Sequence, residues 1–221
     1  MCQQTPVVAM DQIHLTFGRQ EVLKDFSLVI EPGEKVLLTG PSGSGKSSIL
    51  KCILGLLVPQ SGGIRLFGEA VTGRTIWGLR QRLAYVGQEP DLGEGTVREV
   101  FERPFGFRAN AALRGNLSRL PEWLARFDLP EAVLDKDLAM LSGGEKQRVA
   151  LISAVLLDRS LILLDEASSA LDTANKEAVA AFFLASEALT VVSIAHDTEW
   201  RRFATRVVEV GVRANPARGV A

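Results

Sequence analysis

The apolar residues of this chain fall into short runs closed by glycine, proline or charge. Residues 7–17 show mixed alternation and end at Gly18-Arg19, which predicts a first strand. Residues 26–30 alternate and stop at Glu31-Pro32-Gly33-Glu34, a turn signal, and predict a second. Lys35-Val36-Leu37-Leu38-Thr39 is a short apolar run between Gly33 and Gly40, the pattern of a buried strand. Residues 47–54 carry apolar side chains at helical spacing, and that helix ends within 55–59. Ser61-Gly62-Gly63 then turns the chain into a strand over 64–67, and residues 83–88 form a strand that ends in the polar Gln88.

From residue 89 to 141 the pattern changes. Helical segments and turns dominate, with Pro90, Pro104, Pro121 and Pro130 interrupting them, and few runs resemble strands. This predicts an inserted helical subdomain over 89–157 between two parts, 1–88 and 158–221, of one domain. Its last helix is amphipathic and opens at Ser142, a candidate N-cap with Glu145 three residues on, the spacing of a capping box. Residues 161–166 predict a second buried strand with two carboxylates, Asp165 and Glu166, at its C-terminal end. Residues 178–195 are nearly all apolar, but Glu187 interrupts them. They predict a helix, a turn at Ser186-Glu187 and a strand, not a span of about 20 apolar residues. The tail from Arg213 is expected to fray.

Composition narrows the picture. A chain of 221 residues, 47% hydrophobic and 23% charged, can bury a full core. A net charge of −1 gives no footprint for a polyanion, so no nucleic-acid partner is expected. Cys2 and Cys52 make no disulfide framework and suit a reducing cytosol. The first residues lack the charged and apolar regions of a signal peptide. The reading is a soluble protein whose membrane role, if it has one, requires a partner chain.

The chemistry centres on Gly40-Pro41-Ser42-Gly43-Ser44-Gly45-Lys46-Ser47, which fits the phosphate-binding pattern G-x-x-x-x-G-K-[ST]. A predicted strand precedes it and a predicted helix, beginning Ser47-Ser48, follows. Glycines let several backbone N–H groups turn toward one anion, and the helix N-terminus adds unsatisfied donors. Lys46 would reach the outer phosphates and Ser47 would offer its hydroxyl to Mg²⁺. The apolar strands deliver further polar residues to the same edge, where open α/β sheets place ligands. Asp165 suits Mg²⁺ through water. Glu166, one residue on, would face the other side of its strand and address an attacking water as general base. His196 could donate a hydrogen bond to the γ-phosphate.

Leu141-Ser142-Gly143-Gly144-Glu145-Lys146-Gln147-Arg148 resembles the signature motif of ATP-binding cassette ATPases, with Glu145 where glutamine is commonest. The resemblance covers nearly the whole chain in motif order. It implies an α/β P-loop NTPase core of RecA-like type, with an antiparallel β subdomain and an inserted helical signature subdomain. It assigns Phe17 to adenine stacking, Gln88 to the Q-loop and the metal, Asp165 and Glu166 to the Walker B pair, Asp172 to the D-loop and His196 to the switch. It implies ATP hydrolysis and a head-to-tail homodimer. Each ATP would lie between one subunit's phosphate loop and the other's signature helix.

A lone cassette of this type most often serves a permease on a separate chain, at the inner face of the membrane. Gly87-Gln88-Glu89-Pro90, Arg103-Pro104-Phe105 and Ser168-Ser169-Ala170-Leu171-Asp172 are similar to the short cassettes of a bacterial iron-export system. A soluble cassette of iron–sulfur cluster assembly, acting on a scaffold protein, would carry the same motifs and is the alternative. Phe101, Phe105 and Phe107 surround Pro104. They are expected either to line a transporter-coupling groove or to pack the helical subdomain's own core.

Overall fold

The computed structural model describes residues 4–169, 171, 173–195 and 198–211. Two sheets organise them. β1 (Val8–Phe17) and β2 (Gln20–Ile30) form an antiparallel hairpin. Its two-residue turn places Gly18 at a φ of 60°, the left-handed region that a tight hairpin demands. β1 also pairs with β4 (Ser61–Leu66), which pairs with the two-residue β5 (Glu69–Ala70), giving the order β2-β1-β4-β5. The mixed alternation of β1 has a physical cause. Val8 and Met10 face the core before a register shift, Ile13 and Leu15 after it, and Gln12 between them takes a φ of 48°. An irregularity of this kind moves the buried face by one residue.

The second sheet is parallel and runs β6-β7-β8-β3-β9: β6 (Leu83–Val86), β7 (Leu161–Asp165), β8 (Thr190–Ile194), β3 (Lys35–Thr39) and β9 (Arg206–Glu209). β7 and β8 are buried throughout, which a parallel strand covered on both faces must be. Val36 and Leu38 of β3 face one core, shared with the antiparallel sheet and α1 (Lys46–Ile53). Leu37 faces the other, shared with α5 (Gly143–Leu156) and α6 (Thr173–Ala185). Lys35 is buried at the start of β3, and its Nζ donates to the carbonyls of Gly33, Ser186 and Leu189. Burial lowers its pKa from the ordinary lysine value.

α2 (Ile76–Arg80) precedes β6. Between β6 and β7 the chain is helical, with α3 (Val97–Glu102), α4 (Leu120–Arg126), α5 and several 3₁₀ stretches. Trp123 meets Phe182 of α6 edge-on at 4.6 Å, and Phe183 stacks on Trp200 of α7 (Thr198–Phe203) at 6.4 Å. These rings join the helical stretch to the parallel sheet. Phe101 and Phe105 belong to this core, at 1% and 3% exposure, whereas Phe107 is 64% exposed. The groove reading therefore fails for the first two rings, which α3 and the following 3₁₀ turn aim inward. β5, α2, α7 and β9 stand outside the elements that the sequence predicts.

Candidate functional site

β3 and α1 hold the phosphate-loop pattern between them, as its sequence context requires. Gly40 has a φ of 140°, and a Cβ there would lie 2.2 Å from the Val210 carbonyl oxygen, so only glycine fits. Gly43 and Gly45 also take positive φ. The loop wraps the Lys46 side chain. Its Nζ donates to the carbonyls of Gly40 and Pro41, both at 2.9 Å, and the residue is 7% exposed. α1 begins at Gly45 without a side-chain cap and with no acidic residue in its first turn. Its free N–H groups and dipole are thus left for an anion.

A cleft of about 430 Å³ opens over this loop. Residues 42–48, among them Ser42, Gly43, Ser44, Ser47 and Ser48, form one wall, and Phe17 stands at another, half exposed. Gln20, Val22, Gln88 and Glu166 complete the lining. Glu166 reaches the cleft by a different route from strand alternation. It leaves β7 in a left-handed conformation at φ 50°, with its N–H donating to the Ile194 carbonyl. Gln88 lies beyond the end of β6 at Val86 rather than within it.

Ser47 Oγ donates to Asp165 Oδ1 at 3.0 Å. The hydroxyl and the carboxylate are hard oxygen donors that converge beside the phosphate loop, a set that fits Mg²⁺. Burial raises the Asp165 pKa above the ordinary aspartate value, while hydrogen bonds from Ser47 and Tyr85 oppose the shift. The Tyr85 hydroxyl lies 3.4 Å from Asp165 Oδ2, and burial next to that charge pushes its pKa up to about 12. Sequence reasoning overlooked Tyr85, which reads there as one more strand residue.

The predicted signature residues lie elsewhere. Ser142 caps α5 in a complete capping box, with its Oγ accepting from the Glu145 N–H and Glu145 Oε2 accepting from the Ser142 N–H. The Ser142 hydroxyl also donates to Glu145 Oε2 at 2.9 Å, and Lys136 pairs with Glu145 Oε1 at 3.3 Å. These contacts, the Ser142 N–H first, lower the Glu145 pKa from its ordinary value. Ser142 and Gly143 are exposed and Gly144 is partly so. None of the four lines the cleft over the phosphate loop. Gly143 borders a separate cleft of about 480 Å³ with Gln88, Lys146 and Ser169. Asp172 and His196 lie outside the described residues. A larger groove of about 890 Å³ runs from Ser47 and Asp165 past Tyr85 and Gln88 to Arg103 and Phe107.

A protein-family profile described as ABC transporter matches residues 23–169. The probable iron export ATP-binding protein FetA of Escherichia coli K12 is 32% identical over 211 residues, covering 94% of this chain and 92% of that protein. The energy-coupling factor transporter ATP-binding protein EcfA of Enterococcus faecium is 34% identical over 92% of this chain and 75% of its own length. Among solved structures, a bacterial Atm1-family ABC exporter with ATP bound superposes with a TM-score of 0.81 at 26% identity. The match covers 95% of this chain and 38% of that exporter chain. An ATP-binding cassette dimer in a post-hydrolysis state, bound to ADP and phosphate, gives a TM-score of 0.78 at 27% identity, covering 92% of this chain and 94% of the other.

Proposed function

This chain belongs to the ABC transporter ATPase family, and from that premise we propose that it dimerises around two ATP and drives a permease carried on a separate chain. It is an ATP-binding ATPase of the transporter type. The observation that carries the dimer is the separation within one chain. The phosphate-loop cleft includes none of residues 142–145, while the α5 N-terminus presents Ser142 and Gly143 to solvent. A second copy, placed head to tail, supplies what each cleft lacks. In this reading residues 89–157 act as the unit that carries the signature, joined to a core formed by 1–88 and 158–221.

The residues take these roles. Phe17 stacks on adenine, and residues 40–48 with Lys46 hold the phosphates. Ser47, Gln88 and Asp165 would hold Mg²⁺, which when bound would neutralise phosphate charge. Glu166 orients and deprotonates the attacking water, while His196 and Asp172 keep the switch and D-loop roles implied by resemblance. Likeness to FetA over nearly the full length of both chains supports export of a metal ion, with iron as cargo, by a permease that holds this subunit at the cytoplasmic face of the membrane. Among the described residues no helix is long and apolar enough to cross a membrane, in keeping with a pore on another chain.

The test mixes two inactive subunits, Lys46→Ala and Ser142→Arg. A mixed dimer keeps one intact composite site and should recover part of the ATPase activity. No recovery despite demonstrated hetero-dimers would overturn the trans arrangement.

A further inference from the structure

We propose that Tyr85 is a positioning residue for the Asp165 carboxylate, holding one of its oxygens so that the other is presented to the metal. The proposal rests on the reading of Asp165 as a magnesium ligand. The two oxygens of Asp165 are divided between two donors: Oδ1 accepts from Ser47 at 3.0 Å, and Oδ2 accepts from the Tyr85 hydroxyl at 3.4 Å. Ser47 is itself in the metal set, so its hydroxyl serves the same side as Oδ1. Tyr85 is the partner on the far side, and the outer partner of a ligating carboxylate fixes its rotation.

The sheet builds this contact deliberately. Tyr85 of β6 is in register with Leu163 of β7, and Asp165 lies two residues further along β7. Successive side chains alternate across a strand, so Tyr85, Leu163 and Asp165 share one face. Leu83 and Leu163 point into the core that contains α1, which places that face toward Ser47. A tyrosine has the length to span the diagonal to Asp165. Room for the phenol comes from Gly87. A Cβ there would meet the Tyr85 hydroxyl at 3.2 Å, with two further ring atoms next nearest. Gly87 is not among the glycines with positive φ, so the backbone does not require glycine at this position. A methyl there would press on the phenol, which would have to give by a few tenths of an ångström.

Tyr85 is 39% exposed and borders the groove of about 890 Å³ that also reaches Asp165. One side chain therefore touches both the groove and the metal-binding carboxylate.

The experiment measures the affinity of a fluorescent ADP analogue with and without Mg²⁺, and reads the gain that Mg²⁺ confers. Tyr85→Phe keeps the ring and removes only the hydroxyl. It should leave melting and magnesium-free affinity unchanged and cut the gain about tenfold, the loss typical of an outer-sphere partner. Gly87→Ala keeps the tyrosine but crowds its hydroxyl, and should lower the gain in the same direction. Asp165→Asn is the control for the underlying reading and should nearly abolish the gain. An unchanged gain in Asp165→Asn would overturn the metal assignment and the proposal with it. A normal gain in Tyr85→Phe beside a lost gain in Asp165→Asn would overturn the proposal alone. An equal fall in affinity with and without Mg²⁺ in Tyr85→Phe would also overturn it, since that marks general damage to the cleft.

Discussion

The Gln147 side-chain amide donates to the Gly87 carbonyl at 3.2 Å, and this bond ties the first turns of α5 to the segment that leads into Gln88. Gln147 is buried, and its Oε1 has no partner among the described residues. The bond joins the helix that carries the proposed signature to the loop that enters the nucleotide cleft.

Gln147→Leu conserves volume and removes both the bond and the unpaired oxygen. Melting should therefore change by no more than about 1 kcal/mol equivalent. ATPase activity should fall about tenfold, within the range by which single contacts tune coupling between sites. Affinity of one subunit for ATP should stay the same. A parallel loss of nucleotide affinity and ATPase would show that the contact supports the cleft alone.

Glu145 makes a second prediction, on pH. Its folded-state pKa lies below the ordinary value, because Ser142 and Lys136 favour the carboxylate. The sign follows from proton linkage. Below the ordinary value the unfolded chain binds the proton first, so the stabilising contribution is present above about pH 4.5 and is lost as pH falls through the lower folded pKa. In Glu145→Gln the amide can still accept from the Ser142 N–H but carries no charge. The stability difference between the two proteins should be constant near neutrality, at up to about 1 kcal/mol for a helix cap, and should shrink in acid. Every other carboxylate titrates alike in both and cancels. A difference independent of pH, measured by thermal melting from about pH 6 to 3, would remove the charge from the account of this cap.

The elements most legible in the sequence are those whose burial is complete. β3, β7 and β8 are largely apolar runs because helices or a second sheet cover both faces. β9 was not legible: Arg206-Val207-Val208-Glu209 alternates between half-buried and exposed at the sheet edge, and four such residues carry little signal. The same holds for the two residues of β5 and for α2, which has no side-chain cap. At the site, the glycines of the phosphate loop were legible because backbone geometry demands them. Glu166 was placed at the right edge, but a left-handed φ aims it rather than the alternation of β7. Tyr85 could not be assigned at all, since only the register of β6 on β7 reveals which strand residue faces Asp165.

Exposure separates Phe107 from its neighbours Phe101 and Phe105. The sequence left all three rings open between core and groove, and burial divides them. Phe105, at 3% exposure, packs into the helical core with Phe101. Phe107 borders the large groove beside Pro104 and Arg103. Arg103 is held in place, with its guanidinium donating to the carbonyls of Leu92 at 2.8 Å and Glu94 at 2.6 Å, so the groove edge is ordered around the exposed ring. An exposed aromatic at such an edge is the kind of anchor a partner helix uses. Phe107→Ala should change stability by less than about 0.5 kcal/mol, since the ring buries little in the free chain. Basal ATPase should hold, while recovery of the permease in co-purification should drop about tenfold, a loss of the size expected of a central anchor. Phe105→Ala should instead cost about 3–5 kcal/mol and lower the melting temperature before any effect on partner binding can be read. If Phe107→Ala retains the permease at wild-type levels, this ring is not part of the docking surface. If it melts as early as Phe105→Ala, the ring is core in solution.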